Sequence, residues 1–211
     1  MSVPIEVTSA DPTDAKVLSQ IIADAFLDLP PSRWLIADQS ARRTVFPDYF
    51  RIYVEAALAD SIVHTTPDRA AVAIWLPSGT AEPASTAAPH ADDQDDYLAK
   101  LTAVTQPWTD RFLTFDTAIE SRHPAGPPHH HLAFLAVRPD LQGLGIGSAL
   151  LLAHHQFLDD QVRLPAYLEA SAPRSRQFYL RHGYVDLGPP NHLPDGGPPM
   201  FPMWRDPGKG A

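Results

Sequence analysis

Leu132–Leu152 reads LAFLAVRPDLQGLGIGSALLL, and its reading decides the fold. Leu132–Val137 is an apolar run of strand length. Arg138-Pro139-Asp140 is a turn, Gly143, Gly145 and Gly147 make a glycine-rich loop, and a helix is predicted from Ser148. The first amides of a helix lack partners within it, and the helix dipole adds partial positive charge there. Glycines let backbone approach an anion closely. A strand feeding such a loop and helix is a seat for a phosphorylated ligand.

Spacing separates three kinds of phosphate loop. A Walker A loop needs Lys after its last glycine, and Ser148 stands there. A dinucleotide fingerprint needs G-x-G-x-x-G directly after the strand. Gly143-Leu144-Gly145-Ile146-Gly147-Ser148 ends in Ser, and Leu141-Gln142 intervene, although Glu169 falls at a distance suited to a ribose contact. The third pattern, [Arg/Gln]-x-x-Gly-x-[Gly/Ala], is met by Gln142, Gly145 and Gly147. In that context, from Val137 and Pro139 onward, the segment resembles the acetyl-CoA pyrophosphate loop of the GNAT superfamily of N-acetyltransferases.

A second run, Leu168–Tyr184, resembles the strand–helix–strand block that follows that loop in the family, L-E-x-S-x6-(F/L)-Y-x3-G-(F/Y). Ala172 departs from the commoner pattern, in which an Asn there contacts the cofactor. With Ala71–Trp75, these segments are most similar to puromycin N-acetyltransferase-like members. The resemblance implies an α/β domain with a mixed, mostly antiparallel twisted sheet, helices on both faces and a splayed central strand pair. It also implies transfer of acetyl from acetyl-CoA to a primary amine. The amides of Gln142, Gly143, Leu144, Gly145, Ile146, Gly147 and Ser148 would hold the pyrophosphate, the backbone of Leu135, Ala136 and Val137 would pair with the pantetheine, and Ser175 would add a contact. Tyr179 matches the family's tyrosine that protonates the leaving thiolate, and the N–H near Val137 its oxyanion donor.

An alkylamine with a pKa near ~10.4 arrives protonated at neutral pH and needs a base. Glu169, beside the expected slot, is the first candidate, and it could equally be a strand-end carboxylate paired with Arg174. His131 is the second. His129-His130-His131 with His123 raises a metal site, but consecutive strand residues alternate faces and those three cannot converge on one ion; no metal is expected.

Composition bounds the rest. A chain of 211 residues, 44% hydrophobic, suits one domain over residues 1–211. A net charge of −9 argues against nucleic acid or an anionic membrane as partner. The absence of cysteine excludes disulfides, a thiol nucleophile and thiolate metal sites. No signal peptide or membrane span is read, so a cytoplasmic monomer or homodimer acting on a small-molecule amine is expected. A peptide or protein amine as acceptor, or a non-catalytic acyl-CoA-binding domain, remains open.

The other elements follow from pattern. Pro4–Thr8 reads as an edge strand. Asp11 caps a helix with Pro12 at its first position, Leu18, Ile21, Ile22, Ala25 and Phe26 on one face, and an end at Pro30-Pro31. Ser40 caps a second helix with the stripe Phe46, Tyr49, Phe50, Tyr53 and Ala57, kinked or begun at Pro47. The loop between these helices carries Trp34, a candidate acceptor-pocket wall with the loop 78–96, Trp108 and the strand 200–204. Residues 61–65 and 70–76 form antiparallel strands, and 78–96 a mobile loop. Residues 97–122 add a helical insertion. A helix to Asp160, with Leu150, Ala153, Phe157 and Leu158 toward the sheet, precedes a strand at 166–170. Pro173 opens a short helix closed by Gly183, and strands 184–187 and 200–204 make a hairpin across a Pro/Gly-rich loop, 188–199.

Overall fold

The computed structural model describes residues 4–79 and 94–208. In chain order they form β1 (Thr8–Ser9), α1 (Ala15–Phe26), α2 (Pro30–Leu35), α3 (Gln39–Asp60), β2 (Ile62–Thr65), β3 (Ala71–Ser78), α4 (Gln94–Thr105) and α5 (Thr109–Glu120). Then come β4 (His129–Val137), α6 (Ile146–Phe157), β5 (Ala166–Ala170), α7 (Pro173–Leu180), β6 (Val185–Asp186), β7 (Asn191–His192) and β8 (Pro199–Arg205). The strands lie in the order β1-β2-β3-β4-β5-β8-β6, with β7 also on β8. Every pairing is antiparallel except β4 with β5.

The strand β3 shows why helices cover both faces. Its apolar run is buried almost throughout, the pattern of a central strand without a wet face. Val72, Ile74 and Leu76 join α1 and the aromatic stripe of α3 in one core. Ala71, Ala73 and Trp75 join α6, β5 and α7 in the other. Phe46, Tyr49, Phe50, Tyr53 and Ala57 are all buried, and rings at successive helical turns meet edge to face, as Tyr49 does with Tyr53 at 5.2 Å between centroids. Arg42, also buried, donates to the carbonyls of Leu27, Ile36 and Ala37 and to Asp28. It satisfies carbonyls that the ends of α1 and α2 leave open.

Several expected boundaries move. The first strand shrinks to Thr8–Ser9. Asp11 does cap, but over a 3-10 turn, Pro12–Asp14, that leads into α1. Pro30-Pro31 does not end α1, which stops at Phe26; the pair opens α2, because proline fits the first helical turn. Trp34 is therefore helical, not in a loop. Asp38 rather than Ser40 caps α3, and α3 continues through Pro47, where its buried aromatic face outweighs the lost hydrogen bond. Most of the expected mobile loop, residues 80–93, lies outside the described residues; at its ends β3 reaches Ser78 and α4 already begins at Gln94. The helix expected to reach Asp160 stops at Phe157 and passes into a π turn, Leu158–Val162. Its fully buried face is Leu150, Leu151, His154 and His155, with Ala153 and Phe157 only half-buried. Within 188–199, Asn191–His192 pairs with β8.

Candidate active site

The site begins where two strands part. β4 and β5 pair only at His130↔Ala166 and His131↔Tyr167. Trp75 faces Leu132 while Ile74 faces Phe134, so Ala133 is an extra residue in β4. A bulge bends its strand and sharpens its twist, and the β4–β5 pairing stops two residues before it. A cleft of about 640 Å³ opens in the gap.

On its other edge β4 stays paired with β3, and the Arg138 N–H donates to Ala70 O. Antiparallel pairing alternates, so the N–H and C=O groups of Leu135 and Val137 face the gap, away from β3. The Gln142 side chain donates to Val137 O across 3.2 Å, which agrees with that direction and leaves the Val137 N–H open.

The glycine loop completes this end. Gly143 and Gly145 have φ of 83° and 86°, a left-handed backbone that side chains resist. Gly145 is the residue before α6, and the first helical bond runs from Ala149 N–H to Gly145 O at 3.0 Å. The helix thus begins at Ile146, two residues before the expected Ser148, because Gly145 can turn the chain where Ile146 and Gly147 are already helical. The amides of Ile146, Gly147 and Ser148 are left without intrahelical partners. A Cβ on Gly147 would meet Val137 at 3.5 Å. The Ser148 hydroxyl is engaged with His182 Nε2 at 3.0 Å, so only its amide is spare. Arg174, Arg181 and Ser175 line the same end. Ser175 Oγ accepts from the Ala172 N–H at 3.1 Å and bonds its carbonyl at 2.8 Å, tying the start of α7 where Ala172 offers no side chain.

The titratable groups sit around the parting point. Tyr179, on α7, lines the cleft, and burial holds its hydroxyl well above the usual phenol range, so it stays protonated. Glu169, on β5, is largely but not fully buried; Oε2 lies 3.0 Å from His131 Nε2, and Oε1 accepts from the Tyr167 hydroxyl at 2.6 Å. Burial pushes its carboxyl up, but His131, Tyr167 and His123 outweigh that and leave it below the ordinary value. An ionised carboxylate only accepts, so His131 Nε2 carries the hydrogen of this contact. The His131 Nδ1 is buried with no hydrogen-bond partner. Glu169 does not pair with Arg174.

The histidine run does alternate, as expected. His130 joins His154 at 3.0 Å beneath the sheet, and His154 joins His64 at 3.0 Å. His129 meets His123 at 3.2 Å. Potential ligand atoms of His123, His131 and Glu169 nevertheless lie within 4.8 Å of one another, a set that could hold a metal ion. Burial and the neighbouring His131 depress His123 to about 4.

The far half of the cleft is walled by Phe26 of α1, Leu35 of α2, Tyr49, Phe50 and Tyr53 of α3, and Phe115, Asp116 and Glu120 of α5. Asp116 Oδ2 accepts from the Tyr97 hydroxyl at 2.6 Å. Burial raises Asp116 to about 6.

The structure thus brings Leu135, Ala136, Val137, Gln142, Gly143, Gly145, Ile146, Gly147, Ser148, Glu169, Ser175 and Tyr179 to one cleft. Leu144 is not among its lining residues: its side chain is 65% exposed. Neither Trp34 nor Trp108 lines it. The Trp34 indole donates to Pro194 O, and Arg111 stacks on its ring at 4.3 Å. Of strand 200–204 only Met200 reaches the cleft, while Trp204 packs against His129 and Tyr167. Sequence reasoning missed Asp116 and Glu120; their i, i+4 spacing next to Phe115 was the available signal.

Residues 112–186 match the family model described as acetyltransferase (GNAT) domain. Nearly the whole fold is shared with solved structures. A Corynebacterium glutamicum protein described as histone acetyltransferase HPA2 and related acetyltransferase superposes with a TM-score of 0.67, at 23% identity, covering 97% of each chain. Arylalkylamine N-acetyltransferase 2 from Aedes aegypti gives 0.65 at 13% identity, covering 96% of this chain and 98% of its own. PaiA N-acetyltransferase from Thermoplasma acidophilum, solved in complex with coenzyme A, gives 0.55 at 13% identity, covering 98% and 99%. No described helix is long and apolar enough to cross a membrane. Residues 112–186 thus match a GNAT acetyltransferase domain, and the chain as a whole shares the fold of solved acetyltransferase structures almost end to end.

Proposed function

We propose that residues 1–211 act as one acetyltransferase domain that moves the acetyl group of acetyl-CoA to a primary amine of a small molecule. One observation carries this reading: the open edge of β4, the left-handed glycines before α6 and the His131–Glu169 pair all border a single cleft. The residues present fit coenzyme A. The free amides at the start of α6 suit its pyrophosphate, and the open groups of Leu135 and Val137 suit a pantetheine laid along β4 like an added strand. Acetyl-CoA supplies the activated thioester.

This chain's residues then do three things. The Val137 N–H is a fixed donor for negative charge developing on the acyl oxygen. His131 Nδ1 takes the proton of the acceptor ammonium, with Glu169 orienting the ring and stabilising its charged form. Tyr179 gives its hydroxyl proton to the leaving sulfur. Glu169, first candidate from sequence for the base, has both oxygens engaged, which favours the positioning role. No metal is assigned: the three clustered side chains serve proton transfer. The apolar, helix-walled far half favours a small acceptor over a protein chain. The arylalkylamine enzyme from Aedes aegypti and the likeness of Leu168–Tyr184 to puromycin N-acetyltransferase-like members support an amino compound.

The test is free-thiol release from acetyl-CoA with a panel of primary amines, with and without EDTA. Turnover that survives the chelator is expected. Its loss would reassign His123, His131 and Glu169 to a metal, and absence of thiol release with every amine would remove the enzyme reading.

A further inference from the structure

We infer that the acceptor carries a second positively charged group, received by Asp116 across an aromatic-walled space, at about 5–10 Å from the reacting nitrogen. This rests on the acetyl-transfer reading above. Asp116, Glu120 and His123 fall at i, i+4 and i+7 along α5 and the turns that continue it, and all three line the cleft. The stripe has a reacting end: the His123 ring lies 4.9 Å from that of His131, whose Nδ1 is buried and unpartnered. At 1.5 Å per residue, Glu120 stands about 5 Å back along the helix from His123 and Asp116 about 10 Å. The far end is therefore too distant to hold the nitrogen that reacts.

Asp116 is incompletely satisfied. Its Oδ2 has the Tyr97 hydroxyl, while Oδ1 has only the Tyr53 hydroxyl at 3.5 Å. Among the described residues no Lys, Arg or His forms an ion pair with it. A half-buried-to-buried carboxylate without a cation is costly, and a cationic ligand removes that cost. Between the two ends stand flat rings. Phe50 and Tyr53 each meet Phe134 at 5.6 Å, and Phe26 meets Phe50 at 5.7 Å, all lining the cleft. Rings beside a carboxylate suit an apolar spacer ending in an ammonium, which gains from both the negative charge and the ring faces.

The experiment compares 1,4-bis(aminomethyl)benzene with 4-methylbenzylamine, the same shape lacking the second ammonium, by thiol release from acetyl-CoA. We expect kcat/KM about 10-fold or more higher for the diamine, the scale of one desolvated charge pair. In Asp116→Asn, which keeps an acceptor for Tyr97, the ratio of the two should fall to about 2. Equal kcat/KM for the two amines in the unaltered protein, or an unchanged ratio in the variant, would overturn the inference and leave the acetyl-transfer reading standing. No release with either amine, together with no coenzyme A binding by calorimetry, would instead overturn the reading on which it rests.

Discussion

The two ends of the cleft are built from different material. At the cofactor end the chain offers backbone: the open edge of β4 and the first amides of α6, all within Leu135–Ser148. At the end proposed for the acceptor it offers side chains, drawn from four helices between Ala25 and Glu120. Backbone recognition demands particular φ values, and those demand glycines at fixed spacing. Side-chain recognition demands only that rings and carboxylates converge, which many sequences can arrange. The first kind leaves a local signature, and the second does not.

The sharpest way to break this contrast is His131, where the two ends meet. His131→Gln should lower kcat by about 10²–10⁴, the range of a general base, with coenzyme A affinity unchanged in calorimetry. Loss of affinity would show that the parting point also holds the cofactor.

The scaffolds differ as well, and acid should expose it. Beside the aromatic core of α3, the α6 side rests on the file His64–His154–His130. Burial, with the neighbouring imidazoles, depresses His154 to about 2 and His130 to about 4. Both are neutral in the fold and take protons near pH 6.5 when unfolded, so their stabilising effect is complete above pH 6.5 and is lost as pH falls toward those lower values. His154 alone should account for about 2.3 kcal/mol between pH 6.5 and 4.5, read by denaturant titration. A flat stability profile over that window would mean that the file is solvated.

A test of the backbone end is Gly145→Val. Left-handed φ costs a side chain about 1–2 kcal/mol, and β-branching adds to it, so coenzyme A affinity should fall about 10- to 100-fold in calorimetry. Unchanged affinity would mean that the amides of α6 do not hold the cofactor. Tyr179→Phe should be milder: kcat down about 10-fold with affinity intact, since solvent can also protonate a thiolate. Unchanged turnover would leave Tyr179 as a packing residue between Phe178 and Tyr184.

How much was legible follows the same division. The order of strands and helices after Leu132 could be read because Gly143, Gly145 and Gly183 each mark a forced left-handed turn. The aromatic stripe of α3 could be read from its period, and it is buried as expected. Pro30-Pro31 was misplaced because proline is permitted both after a helix and in its first turn, and only Leu29, left extended before α2, decides between them. Trp34 suggested a pocket wall by its size, yet its ring is claimed by Arg111 and Pro194, more than 70 residues away in the chain.

By itself, the sequence determined the glycine-rich strand-to-helix loop, the strand–helix–strand block behind it and the absence of cysteine chemistry, because each is written in contiguous residues or in composition. Tertiary structure alone decided that His131 Nδ1 is left without a partner while both Glu169 oxygens are engaged, and that Asp116 lines the same cleft. Those relations depend on a bulge at Ala133 that parts two strands and on a helix laid across their far side, and distances between distant segments are set only when the chain has packed.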